Sequence, residues 1–373
     1  MMILLVCSII LITTLFLQNR STGKKSNAPK SPPRFPLIGN LHQLGRHPHR
    51  SLCSLSHRYG PLMLLHFGRV PVLVVSSADA ARDVLKTHDR VFASRPWTKI
   101  TEKLLYNGRD VASVPYGEYW RQMKSVCVVH LLSNKMVRSF RDVREEEISL
   151  MIENIRKSSS LPLNLSKLFV GTYVPWLAWI DWIRGLDSQL KKTGNDFDEF
   201  LEKVLDDHVD GDRDGTDFVD VLLTIQRDKS VGFQLDRLSI KAIISDVFVG
   251  ATDTSYTLME WVMTELLRHR ECLNKLQEEV RTICKGRSSV LEEDIQDMKY
   301  LKAVIKETLR LHPPLPLMAP HESTHDVRLR EYDIPAGTQD FELIPFGAGR
   351  RICPAISFAV VLNEVVLATL VHQ

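Results

Sequence analysis

The pattern that most limits how this chain can fold runs from Ser239 to His269. Ile240, Ile243, Ile244, Val247, Phe248, Ala251, Leu258, Trp261, Val262 and Leu266 recur at steps of three and four residues, the period of a helix that buries one face. Thr254 and Ser255 fall on that same face, so hydroxyls sit inside an apolar stripe. Gly250 lies in the middle of the pattern, where glycine costs about 1 kcal/mol relative to alanine. One local reading is that the Thr254 hydroxyl bonds back to the Gly250 carbonyl four residues earlier, a common way to satisfy a buried threonine.

Shorter patterns surround this helix. Leu62–Phe67 and Val70–Val75 are apolar, partly β-branched runs punctuated by Gly and Pro, and they predict two strands of a small sheet. Helices are predicted over 78–88, from Tyr116 through Lys124, over 143–157, and over 294–312, where Pro313-Pro314 stops the last. The chain has 373 residues and is 44% hydrophobic, enough for a substantial core. A net charge of +3, with no arginine-rich or aromatic-interleaved recognition motif, argues against a nucleic-acid partner. Six scattered cysteines indicate neither a zinc module nor a disulfide framework, and reduced thiols fit best.

The N-terminus is apolar from Met1 to Leu17, and Arg20, Lys24, Lys25, Lys30 and Arg34 follow. At about 1.5 Å per residue this run is barely long enough for a hydrocarbon core of about 30 Å. It is a short anchor or a signal peptide; charge after the apolar run rather than before it predicts a retained anchor with the body on the cytosolic side. Ser31-Pro32-Pro33-Arg34-Phe35-Pro36 excludes regular helix and predicts a semi-rigid spacer.

Near the C-terminus, Phe346-Gly347-Ala348-Gly349-Arg350-Arg351-Ile352-Cys353-Pro354-Ala355 sets one cysteine in a glycine-bracketed loop beside arginines, ahead of a helical apolar pattern. Glycines permit tight turns and close approach to a flat ligand, and arginines with a helix N-terminus favour a thiolate. A lone cysteine is otherwise a small buried hydrophobe. Trp120 and Lys124, four residues apart, share a helix face on which an indole N–H and an ammonium could meet one carboxylate. A half-exposed tryptophan on a core helix is the alternative. Glu307 and Arg310 are spaced as a surface ion pair. Trp176, Trp179 and Trp182 form a stripe that suits either a core or a membrane interface. Asp210-Gly211-Asp212-Arg213-Asp214-Gly215 opens like a calcium loop, but Val221 stands where a bidentate glutamate is required, so a solvated acidic loop is expected.

Four of these motifs together resemble the cytochrome P-450 family. Phe346, Gly349, Arg351 and Cys353 are in register with its haem-binding signature Phe-x-x-Gly-x-Arg-x-Cys-x-Gly, with Ala355 at the last glycine. Gly250-Ala251-Thr252-Asp253-Thr254 resembles its oxygen-binding groove, Ala251 standing where glycine is usual. Trp120 and Lys124 match its Trp-x-x-x-Arg element, and Lys306-Glu307-Thr308-Leu309-Arg310 its Glu-x-x-Arg. The wording of the blocks is similar to plant A-type microsomal members.

The resemblance implies a mainly α fold with a small β-sheet region and a haem b cofactor, iron protoporphyrin IX. It implies a monooxygenase that puts one atom of O2 into a small lipophilic substrate of the plant secondary-metabolite class, using electrons from NADPH through a membrane-bound NADPH-cytochrome reductase. Cys353 is then the iron ligand. Trp120, Lys124 and Arg351 hold the propionates, Phe346, Gly349 and Ala251 shape the haem seat, and Asp253 and Thr254 relay protons. Glu307 and Arg310 form a structural pair, and Val111, Leu315 and Met318 line the substrate. His321 stands where relatives often carry a propionate-binding arginine.

It further implies a membrane anchor over 1–19, a basic, proline-rich hinge over 20–40 and a catalytic domain over 41–373, held at the endoplasmic reticulum bilayer by one N-terminal span with a cytosolic body. Two internal joins interrupt the family pattern. Asn164-Leu165-Ser166 leads into Val174-Pro175-Trp176 without several expected helices, and Gln339-Asp340 joins pieces between which a Pro-Glu-Arg-Phe segment is expected. With the chain ending at Gln373 ahead of the expected last sheet, these joins support a second expectation. In it the chain is an inactive remnant, or an apo protein that binds hydrophobic ligands, in which Glu307 is left as a buried charge without its second arginine.

Overall fold

The computed structural model describes residues 27–157, 186–210, 217–228, 232–287, 289–341 and 344–372. The apolar N-terminus, the Asn164 to Trp176 junction, the tryptophan stripe and all but the first residue of the Asp210 to Gly215 run lie outside the described residues. Among those described, no helix is long and apolar enough to cross a membrane. The chain divides into two compact units, Met1–Pro96 with Pro316–Ile352, and Trp97–Leu315 with Cys353–Gln373.

The first unit is built on a small sheet. Helix α1 (Pro48–Tyr59) starts on a proline, whose missing N–H a first turn does not need, and stops at Gly60 with φ +105°. Strands β1 (Leu62–Phe67) and β2 (Val70–Val75) match the predicted runs and pair antiparallel. Gly68, at φ +62°, opens the tight turn that joins them. Strand alternation then sorts their side chains onto two faces. Leu62, Leu73 and Val75 join Ala80, Val84 and Phe92 in one cluster, while Met63, Leu65, Val72 and Val74 pack with Leu52 of α1 in another.

Helix α2 (Ala78–Arg82) is capped by the Ser77 hydroxyl and passes into a π-type turn over Asp83–Thr87. The predicted helix over 78–88 therefore has one wide turn, in which His88 N–H reaches the Asp83 carbonyl five residues back. Strands β3 (His321–Glu322), β4 (Val327–Leu329), β5 (Tyr332–Ile334) and β6 (Gln339–Phe341) follow. β6 lies parallel to β2 and antiparallel to β3, giving the order β1-β2-β6-β3, and β4 with β5 makes a separate hairpin.

The second unit is helical: α3 (Lys99–Lys103), α4 (Glu118–Ser125), α5 (Asn134–Ser139), α6 (Arg141–Lys157), α7 (Leu186–Asp210), α8 (Phe218–Asp228), α9 (Arg237–Arg268), α10 (Arg270–Cys284), α11 (Lys299–Leu311) and α12 (Ile356–His372). The long predicted helix is α9, started by the Asp236 carboxylate, which accepts the Ser239 amide at 2.9 Å. Its two ends lie in different cores. Ile240 and Ile243 pack with Trp120, Met123, Leu205 and Leu222, whereas Leu258, Val262 and Leu266 pack with Leu276, Val280, Leu301 and Leu367. Between them the helix surfaces, and Phe248 and Val249 are 56% and 51% exposed. The expected continuous apolar stripe is thus two buried stretches around an open middle.

The helix predicted over 294–312 is also divided. A 3-10 turn spans Glu292–Gln296, Met298 leaves helical geometry at ψ 83°, and α11 begins at Lys299. The Glu279 carboxylate takes the Tyr300 and Leu301 amides at 2.8 and 2.9 Å, satisfying the open N–H groups of a fresh helix start.

Candidate functional site

The loop before the cysteine is fixed by the first unit. Phe346, Gly347 and Gly349 all have φ between +63° and +68°. At Gly349 a side chain is excluded outright, because a Cβ there would lie 1.8 Å from the Leu85 carbonyl oxygen. A 3-10 turn, Gly349–Arg351, follows. Arg350 pairs with Asp89 at 3.0 Å, and the buried Arg351 donates through Nε to the Ala93 carbonyl at 2.7 Å.

Around that arginine the same unit gathers further polar groups. His321 Nδ1 meets the Phe92 carbonyl at 2.7 Å, and burial with the nearby charges of Arg95 and Arg351 pulls its pKa down to about 3, so the ring is neutral. Arg95 is buried and grips the Ala319 and Pro320 carbonyls at 2.6 and 2.9 Å. Sequence reasoning passed over Arg95. A charged residue directly before a proline in Ala93-Ser94-Arg95-Pro96 was the available signal, and it is a weak one.

Cys353 begins the last segment of the second unit, ahead of α12, with its thiol partly buried. The Cys353 thiol pKa is raised, because burial pushes it up more than the Ala355 amide and the Lys124 charge pull it down. The expectation that the neighbouring arginines favour a thiolate is corrected, since Arg350 is paired with Asp89 and Arg351 is bonded to Ala93. Lys124 lies over the Trp120 ring, 5.1 Å from its centroid. The two do share a helix face, but the Trp120 indole N–H donates to the Val111 carbonyl at 3.2 Å. Val111 is itself buried in the core beside Trp120, and its amide donates to Asp246 of α9 at 2.5 Å. Asp246 is a second residue that sequence reasoning missed; an acid within the buried part of the α9 pattern was its signal.

In the open middle of α9, the Thr254 hydroxyl donates to the Gly250 carbonyl at 2.6 Å, and Thr252 does the same to Phe248 at 2.6 Å. Asp253 and Thr254 are exposed, Ala251 is partly buried, and beyond the helix's own backbone no atom lies within 4 Å of a Cβ built on Gly250. The same unit ties this region to α12 through Asn363, whose amide donates to Ala359 O at 2.6 Å and to Ser255 Oγ at 3.4 Å.

The remaining candidates divide clearly. Glu307 and Arg310 form a two-point ion pair at 2.6 and 2.8 Å, with more than half of each side chain exposed. The expectation of a buried, unpaired Glu307 is therefore corrected: solvent and Arg310 satisfy it, because α11 presents this face outward. Leu315 is 46% exposed in the second unit, and Met318, with φ +55°, belongs to the first, where its Cε would lie 2.8 Å from a Cβ at Gly347.

Comparison with known proteins bears on this arrangement. The cytochrome P-450 family model matches residues 29–174 and 163–340. Cytochrome P-450 71A22 of Arabidopsis thaliana is 65% identical over 446 aligned residues, covering 100% of this chain and 91% of the relative. Cytochrome P-450 71A26 of the same plant is 64% identical, covering 100% and 92%, and cytochrome P-450 736A117 of Prunus mume is 47% identical, covering 99% and 88%. The alignments to the two Arabidopsis proteins, unlike the family model, run through the cysteine loop. Because 446 aligned positions meet only 373 residues, at least 73 positions of the first relative face no residue of this chain. Despite those gaps, the chain belongs to the cytochrome P-450 family, in its plant A-type branch: oxidoreductases that carry haem b and act as monooxygenases with O2 and NADPH-derived electrons.

Proposed function

We propose that this chain is a microsomal monooxygenase in which Cys353 is the haem ligand and a small lipophilic plant metabolite is the substrate. The observation that carries this reading is the Cys353 loop. Its signature residues are in register, Gly349 is pressed on the Leu85 carbonyl, and Arg351 is bonded to Ala93. The donor set fits the cofactor. Burial holds the Cys353 thiol pKa up, but a metal that the sulfur coordinates displaces its proton, and the Ala355 N–H and the Lys124 charge act in the same direction as the metal.

Haem, when bound, supplies the activation of dioxygen that side chains alone do not provide. The chain's own residues do the rest. Cys353 donates a thiolate whose charge the Ala355 N–H and Lys124 oppose. Lys124 and Arg351 give cations for the propionates, and Trp120 sets the position of Lys124. Phe346 and Gly349 would shape the loop that leads to Cys353, and Ala251 would keep the α9 surface low. Thr254, with Asp253 beside it, passes protons once its hydroxyl turns away from Gly250. Glu307 with Arg310 steadies α11, and Val111, Leu315 and Met318 contact substrate. In the same reading 1–19 anchors the protein in the endoplasmic reticulum bilayer, 20–40 is the hinge, 41–373 is the catalytic body on the cytosolic side, and an NADPH-cytochrome reductase delivers electrons.

The inactive-remnant reading loses its main physical support, since Glu307 is neither buried nor alone. The test is a reduced, carbon monoxide difference spectrum of the full chain in microsomes. The expected result is a red-shifted thiolate Soret band that Cys353→Ala abolishes; absence of haem absorbance in the parent would overturn the proposal.

A further inference from the structure

Two helices of the second unit run through both of its apolar cores. α9 gives Ile240 and Ile243 to one core and Leu258, Val262 and Leu266 to the other. α12 and its lead-in pack Ala355 and Phe358 against the first, and bury Val365, Leu367, Ala368 and Val371 in the second. Where the two helices pass from one core to the next, they touch through polar groups. Asn363 of α12 is 3% exposed. Its amide nitrogen donates to the Ala359 carbonyl at 2.6 Å, one turn back on its own helix, and to the Ser255 hydroxyl of α9 at 3.4 Å. A carboxamide nitrogen carries two N–H groups, and in a buried site each needs an acceptor. One is met locally and the other across the helix pair.

The residues around Asn363 give that contact its meaning. Phe358-Ala359-Val360-Val361-Leu362 precedes it, and Val365-Val366-Leu367-Ala368 follows Glu364. Apolar surfaces of similar volume repack against a neighbour with little loss, whereas one buried polar residue in an apolar seam is satisfied in one register. We propose that Asn363 and Ser255 form a register pin: their hydrogen bond sets how far α12 is shifted along α9, and so sets the position of Cys353 relative to Thr254.

Both ends of the pin sit beside the groups that matter. Cys353 joins α12 through Pro354 and Ala355, and the Ala355 carbonyl already takes the Ala359 amide at 2.8 Å, so the cysteine moves with the helix. Thr254 directly precedes Ser255 on α9. The rise of one helical residue is about 1.5 Å, and a misplacement of about 1 Å at a reacting centre can cost on the order of a hundredfold in rate. Asn363 and Ser255 are thus positioning residues. Their consequence for Cys353 and Thr254 rests on the haem reading; the register itself does not. The pin also separates position from stability. Asn363→Leu removes it and strands no buried amide, because the Ser255 hydroxyl can turn back to the Ala251 carbonyl four residues earlier. Ser255→Ala removes the same pin but leaves an Asn363 N–H buried without an acceptor, which is the costlier loss.

Methyl-resolved NMR of the full chain in detergent tests the register without reference to haem. The parent should give one set of Val365, Leu367 and Val371 methyl signals, and Asn363→Leu and Ser255→Ala should each give a second set or broadened signals. Ser255→Thr, which keeps the hydroxyl, should match the parent. Denaturation should place Ser255→Ala below the parent and Asn363→Leu close to it. The double variant should behave as Asn363→Leu does, since one contact is lost only once. One sharp methyl set in Asn363→Leu, or losses that add in the double variant, would overturn the proposal. The reduced, carbon monoxide difference spectrum of the same samples reads the consequence. Relative to bound haem, the thiolate band should fall severalfold in Asn363→Leu and Ser255→Ala and be kept in Ser255→Thr. Doubled methyl signals with an unchanged band defeat the positioning role. Methyl behaviour as expected with no band in any sample, the parent included, defeats the haem reading alone.

Discussion

Two glycines stand in two signature motifs, and the protein treats them oppositely. Gly349, before the cysteine, has φ +67° and lies where a Cβ would fall 1.8 Å from the Leu85 carbonyl oxygen. Gly250, in the middle of α9, is helical and exposed, and beyond the helix's own backbone a Cβ there would meet nothing within 4 Å. The fold demands the first glycine. It merely tolerates the second, whose helix would be steadier with alanine. A glycine that the fold does not need leaves its helix surface as the thing to test, whereas one that the fold requires says little about ligands.

The largest effect follows from that contrast. Gly349→Val forces a β-branched residue into left-handed geometry and against a backbone oxygen that cannot move aside without disturbing the turn at Asp83–Thr87. We expect destabilisation on the order of 4 kcal/mol or more, seen as loss of the cooperative denaturant transition in circular dichroism. A variant that unfolds at the parent's midpoint would show that the close approach is not what fixes the loop. Next in size is Arg351→Met, which leaves the Ala93 carbonyl buried without its 2.7 Å donor. Its expected cost is about 1–3 kcal/mol, read as a lower midpoint at unchanged slope.

The same contrast explains what was legible in the sequence. Strands β1 and β2, helices α4 and α9, and the order of the signature motifs follow from local spacing, so residues alone reveal them. Contacts across long separations do not. Nothing near Gly349 names Leu85, nothing near Arg95 names Ala319, and nothing near Val111 names Asp246. The break at Met298 is not legible in spacing because a tertiary partner makes it: the two-amide grip of Glu279 overrides a continuous helical pattern. Trp120 and Lys124 were correctly placed on one face, yet the direction of the indole N–H toward Val111 depends on a carbonyl that spacing cannot locate.

A smaller effect of opposite sign is expected at the other glycine. Gly250→Ala adds a methyl into open space in a helix interior and removes a backbone-entropy penalty, so the full chain should gain about 0.5–1 kcal/mol. A higher denaturation midpoint joined to a lower rate of substrate oxidation would sharpen the comparison, since it would show a helix kept weak for the sake of its surface. A gain in stability with unchanged oxidation would remove Gly250 from the functional site.

The smallest stability change is predicted beside it. Thr254 is exposed and its hydroxyl makes a local hydrogen bond, to the Gly250 carbonyl at 2.6 Å. Replacing it by valine keeps the shape and removes only the hydroxyl, while the Gly250 carbonyl keeps its place at an exposed helix surface. Thr254→Val should therefore leave the denaturation midpoint within about 0.5 kcal/mol of the parent. If Thr254 moves protons, product formed per NADPH consumed should drop severalfold in that variant even though folding and the carbon monoxide band are retained. Thr252→Val is the internal control, because Thr252 makes the same back-bond to Phe248 on the same helix. Equal losses in both variants would assign the effect to the helix backbone; a loss confined to Thr254 would assign it to that hydroxyl.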